Sequence, residues 1–262
     1  MKRVLVIGDS CEDIYNYGSC DRLAPEGPVP VFYTEETVTH PGMAKNVINN
    51  LTSLGVDCTI VTQDRIITKT RFIEAASNHL FIRVDSDSPK KSSTRVFKSK
   101  IQKGYLSEFD AIIVSDYDKG FLTKQTLETI ASNHPLTFLD TKKVLGEWAF
   151  GFTFIKINSN EYENLRHFNP LLFSEEKSRD SLYKSLIVTK GPMGCYYKKE
   201  RYRVSKVEIR DFSGAGDTFL AGLVCKYLEK EDIKISIEFA NLCATQVVQK
   251  RGVSCVTIPV QS

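Results

Sequence analysis

The 262-residue chain has no CxxC pair, one tryptophan and three methionines, and its seven cysteines are scattered: Cys11, Cys20, Cys58, Cys195, Cys225, Cys243 and Cys255. An odd number without paired spacing indicates neither a zinc site nor a disulfide framework, which leaves reduced thiols. No apolar run approaches the roughly 20 residues of a membrane span. Met1-Lys2-Arg3 leads into the short run Val4 to Ile7, too brief for a signal core, so a cytoplasmic protein with no membrane partner is expected. A net charge of +3 is too small to indicate nucleic acid, and the Lys-rich stretch from Lys90 to Lys103 is broken by Ser, Val and Phe, as in a solvated loop. There is no internal repeat, no low-complexity segment and no long polar linker, so residues 1–262 are expected to form a single domain.

What is present is an alternation of short apolar runs with amphipathic segments. Val4 to Ile7, Thr59 to Val61, Ala111 to Val114, Thr137 to Leu139, Phe152 to Ile157 and Leu186 to Val188 predict buried parallel strands. Ala44, Val47, Ile48, Leu51 and Leu54 recur at helical spacing, as do Phe219, Leu220, Leu223, Val224, Tyr227 and Leu228. That alternation predicts a doubly wound, mostly parallel α/β sheet. Two stretches break it: Tyr15 to Thr39, with Pro25, Gly27, Pro28 and Pro30, and the β-prone Arg71 to Val84. Together they predict a small β lid over segments 15–39 and 68–96.

The strongest chemical signal is Asp211-Phe212-Ser213-Gly214-Ala215-Gly216-Asp217-Thr218, set between a strand-like run, Tyr202 to Ile209, and a helix starting near Ala215. Small residues at Gly214, Ala215 and Gly216 let backbone amides approach a phosphate at the positive end of a helix. Asp217 follows directly, where a base for an attacking hydroxyl would stand. A tight turn with Asp217 as a first-turn acid would read the same way in isolation.

The segment does not stand alone. Gly8 and Asp13, Gly42 and Asn46, Asn158-Ser159-Asn160-Glu161, Thr189-Lys190-Gly191-Pro192-Met193-Gly194 and Asn241 accompany it. Taken together these resemble the ribokinase-like, or PfkB, carbohydrate kinases across nearly the whole chain. Leu23 to Val31, Thr68-Lys69-Thr70-Arg71, Val114 to Gly120 and Asp140-Thr141-Lys142 are similar to the subgroup that phosphorylates heptose 7-phosphate, which often carries a fused nucleotidylyltransferase domain. No such domain is expected here, because the chain stops soon after Ser254 to Val260.

That resemblance implies ATP and Mg²⁺ as cofactors, with room for a monovalent cation, and a sugar or sugar phosphate as the other small-molecule partner. It implies Asp217 as catalytic base beside a Gly214, Ala215 and Gly216 anion hole; Asp13, Gly42 and Asn46 on the sugar; and Asn158 and Glu161 around magnesium. It further implies Thr189, Lys190, Gly191 and Gly194 as the nucleotide loop, Asn241 in the adenine wall and Lys142 near a phosphate. Taken singly, Glu161 reads equally as a helix N-terminal acid, Asp13 as a loop acid, and Lys142 and Asn241 as solvated residues. A substrate that already carries a phosphate needs a second anion site, for which Lys69, Arg71, Arg83 and Lys119 are the candidates. Lids of this family often pair, which implies a homodimer.

Two departures stand out. Met43 and Lys45 occupy positions that are small in the family. Asp64 is followed almost at once by Arg65 to Arg71, where relatives insert about thirty residues, the size of one helix–strand unit. The resemblance therefore implies a ribokinase-like sheet lacking one such unit. The alternatives are a kinase of an unphosphorylated sugar or nucleoside, and a catalytically weak nucleotide-binding regulator.

Overall fold

Val4 to Ile7 lie in β1 (Arg3–Gly8), and their four apolar side chains are buried on alternating faces. Leu5 and Ile7 enter one core, Val4 and Val6 another. A strand buried on both faces needs a helical layer on each side, which is the condition for a parallel α/β sheet. The computed structural model describes residues 2–86, 103–169, 172 and 182–257. Its main sheet adds β4 (Asp57–Val61), β7 (Ala111–Asp116), β8 (Thr137–Thr141), β9 (Phe154–Asn158) and β10 (Leu186–Thr189), all parallel to β1. Two antiparallel strands, β11 (Cys195–Tyr197) and β12 (Glu200–Tyr202), finish one edge in the order β12-β11-β10-β9-β8-β7-β1-β4.

Helices α1 (Ala44–Ser53), α5 (Ala215–Lys230) and α6 (Ile233–Val247) pack on the Val4 and Val6 face. The short α2 (Lys103–Leu106), α3 (Lys124–Asn133) and α4 (Ser159–Phe168) cover the Leu5 and Ile7 face. Gly222 lets α5 and α6 cross closely, since a Cβ there would meet the Cys243 sulfur at 2.9 Å. The chain leaves β1 to build β4 on one side and β7 on the other. Strand order reverses at β1, and ligands of open α/β sheets bind beyond the strand ends at such a point.

A second sheet, ordered β3-β2-β5-β6, consists of β2 (Ser10–Leu23), β3 (Pro30–Met43), β5 (Thr68–Glu74) and β6 (Leu80–Asp85). Its first hairpin starts at Ser10 and ends at Met43, extending beyond 15–39 at both ends. Residues 87–96 of the other expected segment, and the Lys-rich stretch as far as residue 102, lie outside the described residues. Register decides which side chains share a face: Asp13 pairs with His40 and Lys69, Tyr15 with Arg71, Arg71 with Arg83, and Lys69 with Asp85. Because side chains alternate along a strand, Asp13, Lys69, Arg71, Arg83 and Asp85 all belong to one face of this sheet.

The sheet edges depart from the sequence reading in one place. Tyr202 to Ile209 does not form one strand, since β12 stops at Tyr202. Beyond Tyr202 the backbone finds no ladder partner, and residues 204–207 and 209 line a cavity instead. At the other edge β4 is outermost among the described residues, and only residues 62–67 join it to β5. No described helix is long and apolar enough to cross a membrane.

Candidate active site

Gly214 starts the site by making the turn into α5. Its φ of 78° is left-handed, and a Cβ there would stand 2.6 Å from the Asn46 side-chain nitrogen. Glycine meets both demands at no steric cost. Ala215 N–H is committed to Phe212 O. The amides that follow sit at the positive end of a 16-residue helix.

Asp217, on the first turn of α5, is 3% exposed. The Tyr117 hydroxyl donates to its Oδ1 at 2.7 Å, and Asn46 Nδ2 donates to its Oδ2 at 3.0 Å. Burial pushes the Asp217 carboxyl up to about 6, although the Asn46 and Tyr117 bonds pull it down; Asp140 raises it and Lys156 lowers it through charge. At neutral pH it is therefore ionised yet basic enough to take a proton.

A relay of amides supports the carboxylate. Asn46 Oδ1 accepts from Asn50 Nδ2 at 3.0 Å, while Asn50 Oδ1 accepts from Thr218 Oγ1 and from the Val256 amide, each at 3.2 Å. Asn46, expected on the sugar, thus spends its amide nitrogen on the base. Below Tyr117 the buried Asp9 accepts from the backbone N–H of Tyr117 at 2.8 Å and of Lys119 at 3.3 Å, fixing the turn that aims the phenol. Burial, then the neighbouring Asp116, pushes Asp9 up to about 6.

Asp13 faces the site from β2. Arg71 Nη1 donates to Asp13 Oδ1 at 2.6 Å, and Cys11 Sγ donates to Oδ2 at 3.6 Å. Gly42 must lack a side chain, because a Cβ would meet Asp13 Oδ2 at 2.1 Å. Lys69 and Lys142 place their ammonium groups 5.1 and 5.4 Å from the Tyr117 ring centroid. Arg83 does not reach this cluster, since it is spent on Asp85 at 2.8 and 3.0 Å and half exposed. Lys119 enters through its backbone amide, the donor to Asp9. Met43 at the α1 N-cap has φ 58° and ψ −130°, a strained conformation for a side chain packed among Cys11, Ile67 and Tyr117.

Two cavities meet at Gly216. The polar one, about 440 Å³, is lined by Tyr117, Lys142, Lys156, Asn158, Gly214 and Asp217 among others. The apolar one, about 410 Å³, lies between Val204 to Ile209, Phe219, Asn241, Ala244 and Val248. They share Thr189, Gly191, Phe212 and Gly216. Asn241 stands in the apolar wall, with its amide nitrogen given to Tyr202 O at 3.3 Å. Gly194, at φ 83°, has no room for a Cβ beside Tyr202 O. Lys190 turns away: its ammonium lies 5.0 and 6.0 Å from the Tyr196 and Tyr162 ring centroids, outside both cavities.

Glu161 is seen in the helix N-terminal role. With Asn158 it forms the capping box of α4, and its Oε1 also takes Lys142. Among the described residues no three His, Cys, Asp or Glu side chains gather to hold a metal. One carboxylate and one amide beside a phosphate-sized cavity suit a hydrated magnesium that takes its other ligands from nucleotide phosphates. Tyr117, Asn50 and Lys156 were missed as site residues, although a lysine inside the apolar run Phe152 to Ile157 is itself a signal.

Among curated proteins, the chain is 32% identical over 296 aligned positions to the bifunctional protein HldE of a Nitratiruptor species, covering 98% of this chain and 63% of that protein. It is 31% identical over 304 positions to the bifunctional protein HldE of Helicobacter pylori, covering 96% and 64%. The chain thus spans under two thirds of these relatives. With at most 262 residues matched along 296 positions, at least 34 positions of the first have no counterpart here. Ribokinase from Thermotoga maritima superposes with a TM-score of 0.74 at 18% identity, over 97% of this chain and 95% of that one. Arabidopsis thaliana ribokinase complexed with ribose and ATP superposes with a TM-score of 0.67 at 16% identity, over 96% and 94%. These place the α/β sheet in the ribokinase-like fold. Residues 42–259, which include Asn46, Asp217 and both cavities, match the model of the pfkB family carbohydrate kinases, and the chain belongs to that family.

Proposed function

We propose that this protein transfers the γ-phosphate of ATP to a hydroxyl of a sugar phosphate of the heptose 7-phosphate type. The observation that carries the reading is Asp217: a buried carboxylate with its pKa pushed up to about 6, on the first turn of α5 where the two cavities meet. The nucleotide base would occupy the apolar cavity, with its phosphates running past Gly216 into the polar one. An acceptor hydroxyl held by Asp13 would give its proton to Asp217 as its oxygen attacks the γ-phosphorus. The bond to the β,γ-bridging oxygen then breaks, and its electrons leave with ADP. Both Asp217 oxygens already accept one bond, but an ionised carboxylate has about four acceptor sites. Magnesium held near Asn158 and Glu161 would supply charge neutralisation to the phosphates.

Lys69, Arg71 and Arg83, on the site-facing side of the second sheet, favour an acceptor that is already anionic. One observation favours an unphosphorylated sugar instead: Arg71 is already spent on Asp13. An ATP-consumption screen with magnesium over heptose 7-phosphate, fructose phosphates, ribose, fructose and adenosine decides between them. Turnover confined to phosphorylated acceptors supports the proposal, whereas turnover confined to free sugars or adenosine replaces it. A homodimer pairing its lids would cover the exposed Leu80, Ile82 and Val84, and light scattering at micromolar concentration tests it.

A further inference from the structure

Lys156 interrupts β9 between Ile155 and Ile157 and is 4% exposed. Lysine is almost never so buried without a partner. Here the partner is Asp140, opposite it on β8, with Nζ to Oδ2 at 2.6 Å. Asp140 Oδ1 is buried with no hydrogen-bond partner, so the pair is not a closed, mutually satisfied unit. Removing two charges from water usually costs as much as their attraction returns, and an apolar pair would serve stability as well. The other side of Lys156 explains its presence. Its ammonium lies against the anion hole, close enough that a Cβ on Gly216 would meet Nζ at 2.9 Å. It also lines the polar cavity together with Gly214, Asn158 and Asp217.

We propose that Lys156 is a catalytic residue whose ammonium contacts a non-bridging oxygen of the transferring phosphoryl group across Gly216, and that Asp140 is the positioning residue that aims it. This rests on the phosphotransfer reading above. Charge on the phosphoryl oxygens and the departing bridging oxygen is then met by a preorganised cation. Lys156 neither gains nor loses a proton: the acceptor proton goes to Asp217 and the electron pair leaves with ADP. The α5 amides alone would offer only partial charges there.

Two variants separate catalysis from structure. Lys156→Met leaves Asp140 buried and unpaired, so it should lower the melting temperature. The double variant Lys156→Met/Asp140→Asn removes both charges and should recover it. Both should lose ~10²–10³-fold in kcat, the size seen for one oxyanion donor, with KM for ATP changed by less than about threefold. A purely structural pair predicts instead that the double variant regains turnover with its melting temperature, and turnover within about tenfold of wild type would overturn the proposal. The second arm uses calorimetry with ADP and magnesium, with and without fluoroaluminate, a mimic of the transferring phosphoryl group. Fluoroaluminate should tighten ADP binding in the wild type and not in the double variant, while affinity for ADP alone stays equal. If the wild type consumes ATP with no acceptor in the screen, the phosphotransfer reading fails, and this arm still judges Lys156. Equal tightening in both proteins, or none in the wild type, would overturn its role.

Discussion

The Tyr117 hydroxyl donates a 2.7 Å hydrogen bond to Oδ1 of Asp217, which lies 100 residues further along the chain. Burial and then the neighbouring Asp217 push the phenol well above its usual pKa, so it remains a donor throughout the working range. Its bond favours the ionised carboxylate and opposes the burial that drives Asp217 up to about 6. Tyr117→Phe removes that opposition without removing the ring on which Lys69 and Lys142 rest. The acid limb of the kcat/KM profile should then move to higher pH by about one to two units, from a charged hydrogen bond of about 1.5–3 kcal/mol. A profile that superimposes on wild type would deny Tyr117 any part in tuning the base.

Asp217 should be both indispensable and costly. Asp217→Asn is expected to lower kcat by roughly 10²–10⁴-fold with ATP affinity retained. Its folded pKa of about 6 lies above the ordinary value of 3.8. Protonation therefore favours the folded form, and the carboxyl reduces stability progressively from about pH 4 to pH 6, by ~3 kcal/mol in all. The melting temperature of Asp217→Asn relative to wild type should rise across that window and level off above it. A difference that is constant from pH 4 to 8 would show that Asp217 titrates alike in both states.

Gly214→Ala tests the turn rather than the charge. The new methyl would have to share space with the Asn46 amide at 2.6 Å and accept a φ of 78°. Strain of about 1–2 kcal/mol follows from the backbone alone, and displacing Asn46 frees one oxygen of Asp217. Thermal melts and kcat should therefore fall together. Unchanged turnover in a destabilised variant would mean that the Asn46 bond is dispensable.

Arg71 and Arg83 stand opposite each other in the second sheet but should behave differently. Arg71→Ala leaves Asp13 without its 2.6 Å partner, so KM should rise by ~10-fold or more for every acceptor, phosphorylated or not, with KM for ATP little changed. Arg83→Ala should raise KM only for acceptors that carry a phosphate, once substrate has drawn Arg83 from Asp85. The readout is a pair of KM series on one sugar with and without its phosphate. If Arg83→Ala changes neither, no part of β6 belongs to the acceptor site.

Sequence periodicity was enough for the six parallel strands of the main sheet, because β1, β7 and β8 are apolar on both faces and each ends in a polar turn, but not for the short antiparallel β11 at its edge. The helix start was legible for the same local reason: Gly214, Ala215, Gly216 and Asp217 are contiguous, and their geometry follows from one turn, although the sequence did not show that the Ala215 amide is spent on Phe212 O. Relations that depend on strand register were not legible. Nothing local shows that β2 and β5 run in parallel so that Arg71 meets Asp13, or that β8 and β9 set Asp140 opposite Lys156. Tyr202 to Ile209 misled because its alternation is that of a strand, while past β12 there is no neighbour to pair with. Arg83 was placed near the site from sequence alone, but Asp85, two residues on, is its nearer partner.

The relay from Val256 through Asn50 and Asn46 to Asp217 bears on the order in which the protein is made. Asn46 and Asn50 leave the ribosome early, Tyr117 and Lys156 midway, and Asp217 late. The amide that completes the relay comes 206 positions after the asparagine that receives it. A nascent chain holds neither the turn at Gly214 nor the Asp217 carboxylate until α5 is made and packs against α1 and α6. A ribosome-stalled fragment ending before Asp217 would lack α5 and α6, the layer that covers the Val4 and Val6 face, together with the carboxylate itself.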